Sequence, residues 1–134
     1  MRIGIIGAGS MGAGIAQVAA SADCHVKIYD QSKEVCEKAL IKLDKILKRL
    51  IEKGKIDDIK KQSIQDNISI ISDIEDLKDS DLIIEAIIED EKIKKNIFSN
   101  LSNLVSDECV IATNTSSLSI TSLASYCNIP ERFI

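Results

Sequence analysis

Residues 2–14 read RIGIIGAGSMGAG. The short apolar run 2–7 ends in glycine, and the small apolar residues over 10–22 then keep helical spacing. That is the pattern of a buried strand turning straight into a helix. Gly7, Gly9 and Gly12 make GxGxxG at the turn. Alone the pattern is weak, because glycine-rich turns are common. Its surroundings add weight: HVKIYD at 25–30 reads as a second strand and ends in an acid, Asp30. Strand, glycine turn, helix, strand and acid, in that order, make the dinucleotide-binding fingerprint.

Each glycine has a separate task. Gly7 permits the tight turn, Gly9 lets backbone approach a diphosphate, and Gly12 allows close helix–strand packing, with Ala13, Gly14 and Ala16 also small. The helix N-terminus offers unpaired N–H groups and a partial positive charge to the diphosphate. Asp30 would accept hydrogen bonds from adenine ribose hydroxyls. A carboxylate there repels a 2′-phosphate, and Gln31 and Ser32 supply no arginine to hold one, so NAD is favoured over NADP. FAD folds share the same turn and remain a competitor, as does a plain glycine turn with Asp30 solvated.

Outward from this unit, apolar residues from Lys33 to Lys53 fall on one helical stripe, which Gly54 is placed to close. A shorter helix covers 56–65. ISIIS at 68–72, DLIIEA at 81–86 and CVIAT at 109–113 read as strands three to five, with an amphipathic helix over 91–104 and another from about Ser119 to Tyr126. Continuous apolar strands alternating with helices argue for a parallel sheet covered on both faces. The expected fold is a doubly wound α/β (Rossmann) domain over 1–134. The long interval between strands two and three predicts a projecting helical hairpin. PERFI at 130–134 reads as a further strand just beginning.

Composition narrows the function. Seventeen basic and 21 acidic residues leave a net charge of −4, which disfavours nucleic acid as the main partner. No apolar run reaches the roughly 20 residues needed to span a bilayer. The N-terminus enters a strand at once, without a secretory pattern, so a cytoplasmic protein is expected. Cys24, Cys36, Cys109 and Cys127 lack CxxC spacing and read as reduced thiols. Cys24 and His25 are strand neighbours pointing to opposite faces, so they cannot converge on one ion, and no metal is expected.

In such a sheet, ligands sit outside the carboxyl ends of the strands. Strand four runs into Glu85, Ala86 and then Glu89; strand five runs into Asn114-Thr115-Ser116-Ser117. Ser117 and Ser119 read as helix caps. Asn114 and Ser116 lie nearer the strand end, where a ligand would be.

GAGSMGAGIA, DLIIEAIIED, ATNTSSLSIT and PERFI, in this order and spacing, resemble the N-terminal domain of the NAD-dependent L-3-hydroxyacyl-CoA dehydrogenases, including the 3-hydroxybutyryl-CoA dehydrogenases. The resemblance covers essentially the whole chain, and TNTSSLSIT is its most specific part. It implies oxidation of the 3-hydroxyl of an acyl-CoA by hydride transfer to NAD. It further implies that Gly7, Gly9, Gly12 and Asp30 bind the ADP half of the cofactor, with Ala8, Ser10, Met11, Gln31 and Ala86 also among the cofactor-binding residues. Glu89, Lys94 and Asn114 would lie around the nicotinamide half, and Ser116, also cofactor-binding, would hydrogen-bond the reacting oxygen as the catalytic residue. Lys53, at the end of the long helix, matches a lysine that reaches coenzyme A phosphates, while Ile46 stands where the family often has serine.

An alcohol oxidised by hydride transfer must also lose its hydroxyl proton, and histidine is the usual base near neutral pH. His25 sits at the start of strand two, away from the acting end, so a structural or surface role is expected. In the resembling family PERFI runs on into the catalytic histidine and then a C-terminal helical domain that closes the cleft and forms the dimer. The 134 residues alone are therefore expected to bind NAD, to be monomeric or weakly self-associating, and to turn over poorly. Two other functions remain: a nucleotide-sensing module without chemistry, and a related dehydrogenase acting on a small hydroxy acid.

Overall fold

Five parallel strands run side by side in the order β3–β2–β1–β4–β5. They are β1 (Arg2–Ile6), β2 (His25–Tyr29), β3 (Ile68–Ile71), β4 (Leu82–Glu85) and β5 (Val110–Thr113) in a computed structural model that describes residues 1–134. The helices are α1 (Ser10–Ser21), α2 (Lys33–Glu52), α3 (Asp58–Asp66), α4 (Glu91–Leu104) and α5 (Ile120–Ala124). The doubly wound α/β expectation holds.

Alternation along β1 shows the two layers. Ile3 and Ile5 enter one core with Ala16 and Ala20 of α1, Leu43 and Leu47 of α2 and Ile64 of α3. Ile6 enters the other, with Phe98 and Leu101 of α4 and Leu123 of α5. Successive residues of a strand face opposite sides, so one short apolar run serves both layers. Gly4 lies on the second side, where a Cβ would come within 2.9 Å of Leu77.

The long crossover forms the expected hairpin of α2 and α3. It does not project as expected but is seated on the body, because Cys36, Ala39, Leu43 and Leu47 bury one stripe of α2 in the core. Asp44 fastens the two helices, accepting from Lys61 Nζ at 2.7 Å and Gln65 Nε2 at 3.3 Å. Ser32 caps α2 through the Val35 N–H, and Gly54 closes it with φ +64°.

Boundaries differ slightly from expectation. α5 is shorter than 119–126, because Ser119 is its cap and accepts from the Ser122 N–H. A 3₁₀ turn at Ile74–Leu77, capped by Asp73, was not foreseen. Pro130–Arg132 is another 3₁₀ turn, after which Phe133 pairs in parallel with Ile111 of β5 and packs edge-on against Phe98 at 4.7 Å. Where a further strand was expected, PERFI thus makes a 3₁₀ turn and one isolated bridge to the β5 edge.

Candidate functional site

One row of paired residues crosses the sheet: Tyr29, Ile6, Glu85 and Thr113. The next residue on each strand is Asp30, Gly7, Ala86 and Asn114. Three short bonds extend the row: Gly7 N–H donates to the Tyr29 carbonyl at 2.8 Å, Ala86 N–H to Ile6 at 2.8 Å, and Asn114 N–H to Glu85 at 2.9 Å. Register therefore brings four of the sequence-predicted positions to one edge.

The glycine turn is shaped by contact. Gly7 has φ +103°, and a Cβ there would lie 2.5 Å from the Ala86 carbonyl oxygen. At Gly12 a Cβ would lie 1.8 Å from the Gly7 carbonyl oxygen, which no side chain can occupy. Gly9 has ordinary φ −63°, and a Cβ there meets nothing within 4 Å. Its lack of a side chain is not demanded by packing, so it leaves space for a ligand. Gly14 differs from the expected packing role: it is exposed, and its absent Cβ faces open space.

Gly9 is the N-cap of α1 and supplies no side-chain acceptor, so the first-turn N–H groups stay open. Asp30 accepts from Ala8 N–H at 2.8 Å and from Ser32 N–H at 2.9 Å, one bond to each carboxylate oxygen. A carboxylate has about four lone-pair positions, so each oxygen keeps capacity for a ribose hydroxyl. Open donors for a diphosphate, space above Gly9 and a held, half-satisfied carboxylate together fit the adenosine diphosphate part of NAD. Ser10, Met11 and Gln31 line this region as exposed residues. Lys42 of α2 also reaches it, donating to Ser10 Oγ at 3.1 Å. Sequence reasoning missed Lys42, since an exposed lysine on a long helix carries no signal of what it faces.

At the other side of the switch between β1 and β4 lies a buried ion pair. Glu85 Oε1 and Oε2 each accept from Lys94 Nζ at 2.7 Å. Ile87 N–H adds a bond to Oε1 and Thr113 Oγ1 one to Oε2, both at 2.6 Å. Lys94, expected beside the nicotinamide half, thus has its ammonium committed to Glu85 and is only 1% exposed. Glu85 was noticeable in the sequence as an acid ending an apolar strand. A buried charge requires a partner, and the lysine on the following helix is that partner.

Glu89 lies in the exposed loop before α4 and accepts from Thr115 Oγ1 at 2.7 Å and Ser117 Oγ at 3.4 Å. Ser117 is therefore tied to Glu89 and is not the cap it was expected to be. Asn114 and Ser116 are exposed and their side chains have no hydrogen-bond partner in the protein. Lys53, at the C-cap of α2, is likewise exposed and unpaired.

His25 pairs with Arg2 at the amino end of the sheet, remote from this edge. All four cysteines are free. Burial raises the thiol pKa of Cys36, Cys109 and Cys127. No three His, Cys, Asp or Glu side chains are placed to hold a metal, and no helix is long and apolar enough to cross a membrane.

Comparison with known proteins agrees with this geometry. The family model described as "3-hydroxyacyl-CoA dehydrogenase, NAD binding domain" matches residues 2–134. A 3-hydroxybutyryl-CoA dehydrogenase of Clostridioides difficile is 43% identical over 134 residues, covering 100% of this chain and 48% of the relative. A probable 3-hydroxybutyryl-CoA dehydrogenase of Deinococcus radiodurans is 41% identical, with the same coverage. The chain thus spans about half the length of the curated relatives it matches. Among solved structures, (S)-3-hydroxybutyryl-CoA dehydrogenase from Ralstonia eutropha superposes with a TM-score of 0.96 at 38% identity, over 99% of this chain and 47% of that one.

Proposed function

The chain belongs to the 3-hydroxyacyl-CoA dehydrogenase family as its NAD-binding domain, and from that premise we propose that it serves a dehydrogenase oxidising the 3-hydroxyl of an acyl-CoA. When bound, NAD supplies the hydride acceptor. The residues here bind and orient. The open N–H groups of α1 receive the diphosphate, and Gly9 leaves room for it. Asp30 receives the adenine ribose hydroxyls and repels a 2′-phosphate. Asn114 and Ser116 face the reacting end, Ser116 donating to the substrate's 3-oxygen, and Lys53 meets coenzyme A phosphate. The protein works in the cytoplasm.

The single observation that carries this proposal is the pair of unpartnered side chains, Asn114 and Ser116, at the same carboxyl edge of the sheet as the glycine turn. A module that only sensed NAD would have no need of them. The sole histidine, His25, lies at the far end of the sheet, so these 134 residues hold the cofactor but have no histidine base beside it. Loss of a placed general base costs about 10²- to 10⁴-fold. Calorimetry with NAD and NADP, followed by an assay with 3-hydroxybutyryl-CoA, tests the proposal. NAD is expected to bind, NADP to bind at least about tenfold more weakly, and turnover to be very slow. No heat with NAD at millimolar concentration would overturn it, and turnover at an ordinary enzyme rate would overturn the reading that these residues lack the base.

A further inference from the structure

Beyond β5 the side chains alternate between two fates. Thr113 donates to Glu85 at 2.6 Å and accepts from the Thr115 N–H at 3.2 Å. Thr115 donates to Glu89 at 2.7 Å and accepts from the Leu118 N–H at 3.2 Å. Ser117 donates to Glu89 as well. The side chains between them, those of Asn114 and Ser116, have no hydrogen-bond partner in the protein, although the Asn114 N–H donates to the Glu85 carbonyl. The alternation has the period of a strand and continues past its last residue. It is also anchored at depth, because Glu85 is itself held by Lys94, with both side chains buried.

A segment of small polar residues at the end of a strand has many conformations open to it, because Ser, Thr and Asn can bond to nearby backbone in several ways. Here both bonding functions of each threonine hydroxyl are used, one toward a carboxylate and one toward a backbone N–H. That leaves little freedom at 113 and 115, and hence at the residue each one flanks. We infer that Thr113 and Thr115, fixed by Glu85 and Glu89, are positioning residues that aim Asn114 at the nicotinamide half of the cofactor and Ser116 at the reacting oxygen. Glu89 acts through Thr115. The inference rests on the NAD reading above and adds how its reacting end is held.

ADP-ribose, which lacks the nicotinamide, separates the two. Thr115→Val keeps the branched shape and removes the hydroxyl; Thr115→Ser keeps the hydroxyl. Thr115→Val is expected to raise the Kd for NAD about three- to tenfold, the reach of one or two neutral hydrogen bonds, and to leave the Kd for ADP-ribose unchanged. Thr115→Ser should stay within about twofold for both. Because Thr115 acts through Asn114, the double variant with Asn114→Ala should bind NAD no more weakly than the worse single variant. In the unaltered chain, the Thr115 and Leu118 amides should exchange hydrogen more slowly than those of Ser116 and Ser117, which no protein acceptor meets. A Thr115→Val variant that binds NAD normally, or weakens NAD and ADP-ribose alike, would overturn the inference. So would additive double-variant losses, or equal exchange at the four amides. Failure of the unaltered chain to bind either nucleotide would instead remove the NAD reading itself.

Discussion

Glu85 and Lys94 form an ion pair in which the carboxylate is 0% and the ammonium 1% exposed, with both oxygens at 2.7 Å from Nζ. The pair joins the end of β4 to the first turns of α4. Breaking such a pair by removing one partner leaves a buried charge without its counter-charge, and typically costs about 3–5 kcal/mol. Lys94→Met is therefore expected to lower the urea midpoint strongly. Adding Glu85→Gln to that variant should recover part of the loss, because the stranded charge is gone. Equal midpoints for Lys94→Met and the unaltered chain would contradict the buried pair.

Gly9 and Gly12 stand in the same motif for unlike reasons, and alanine should separate them. Gly12→Ala drives a Cβ into a carbonyl oxygen at 1.8 Å, so the turn must shift. Thermal melting should show a loss of about 2 kcal/mol or more. Gly9→Ala meets nothing in the protein. Its stability should change by no more than about 0.5 kcal/mol, while NAD affinity falls roughly tenfold or more. If Gly9→Ala were to leave NAD affinity unchanged, the diphosphate does not lie over that residue.

Asp44 sets an acid limit on the α2–α3 hairpin. Hydrogen bonds from Lys48 and Lys61 pull its carboxyl down to about 2 from the ordinary 3.8. A carboxyl with a lowered pKa in the folded state adds stability above its unfolded value, and that contribution is lost as pH falls through the folded value. Asp44→Asn should therefore make the chain less stable at about pH 6, with the gap closing between about pH 4 and pH 2. Chemical denaturation at several pH values reads this directly, and a gap that persists at about pH 2 would count against the assignment.

Thiol labelling should find one accessible cysteine. Cys24 is half-buried, whereas Cys36, Cys109 and Cys127 are buried and their pKa values raised by desolvation. A thiolate is the reactive form, so burial slows reaction twice, by access and by ionisation. At about pH 8, one equivalent should react quickly, and Cys24→Ser should abolish that phase.

The architecture was legible in the letters because it rests on local rules. Apolar runs of strand length, a helical stripe closed by Gly54 and the glycine turn each state their structure without reference to distant residues. The capping role of Ser119 was legible in the same way. Gly14 was misleading for a local reason too: a small residue suggests close packing, but the helical phase decides whether its face meets the sheet, and at 14 it meets solvent.

What the amino acids alone determined is the sheet, its two helical layers and which residues stand at the carboxyl ends of the strands. Tertiary structure decided how those ends are used. Only parallel pairing brings Tyr29, Ile6, Glu85 and Thr113 into one row, and only the packing of the helices places Lys94 against Glu85 and Lys42 beside Ser10. The division between tied Thr115 and free Asn114 arises the same way, since it depends on an acid at position 89 reaching across from another strand's loop. Periodicity is a property of neighbours along the chain, while a hydrogen-bond partner far away in sequence is supplied by the packed sheet.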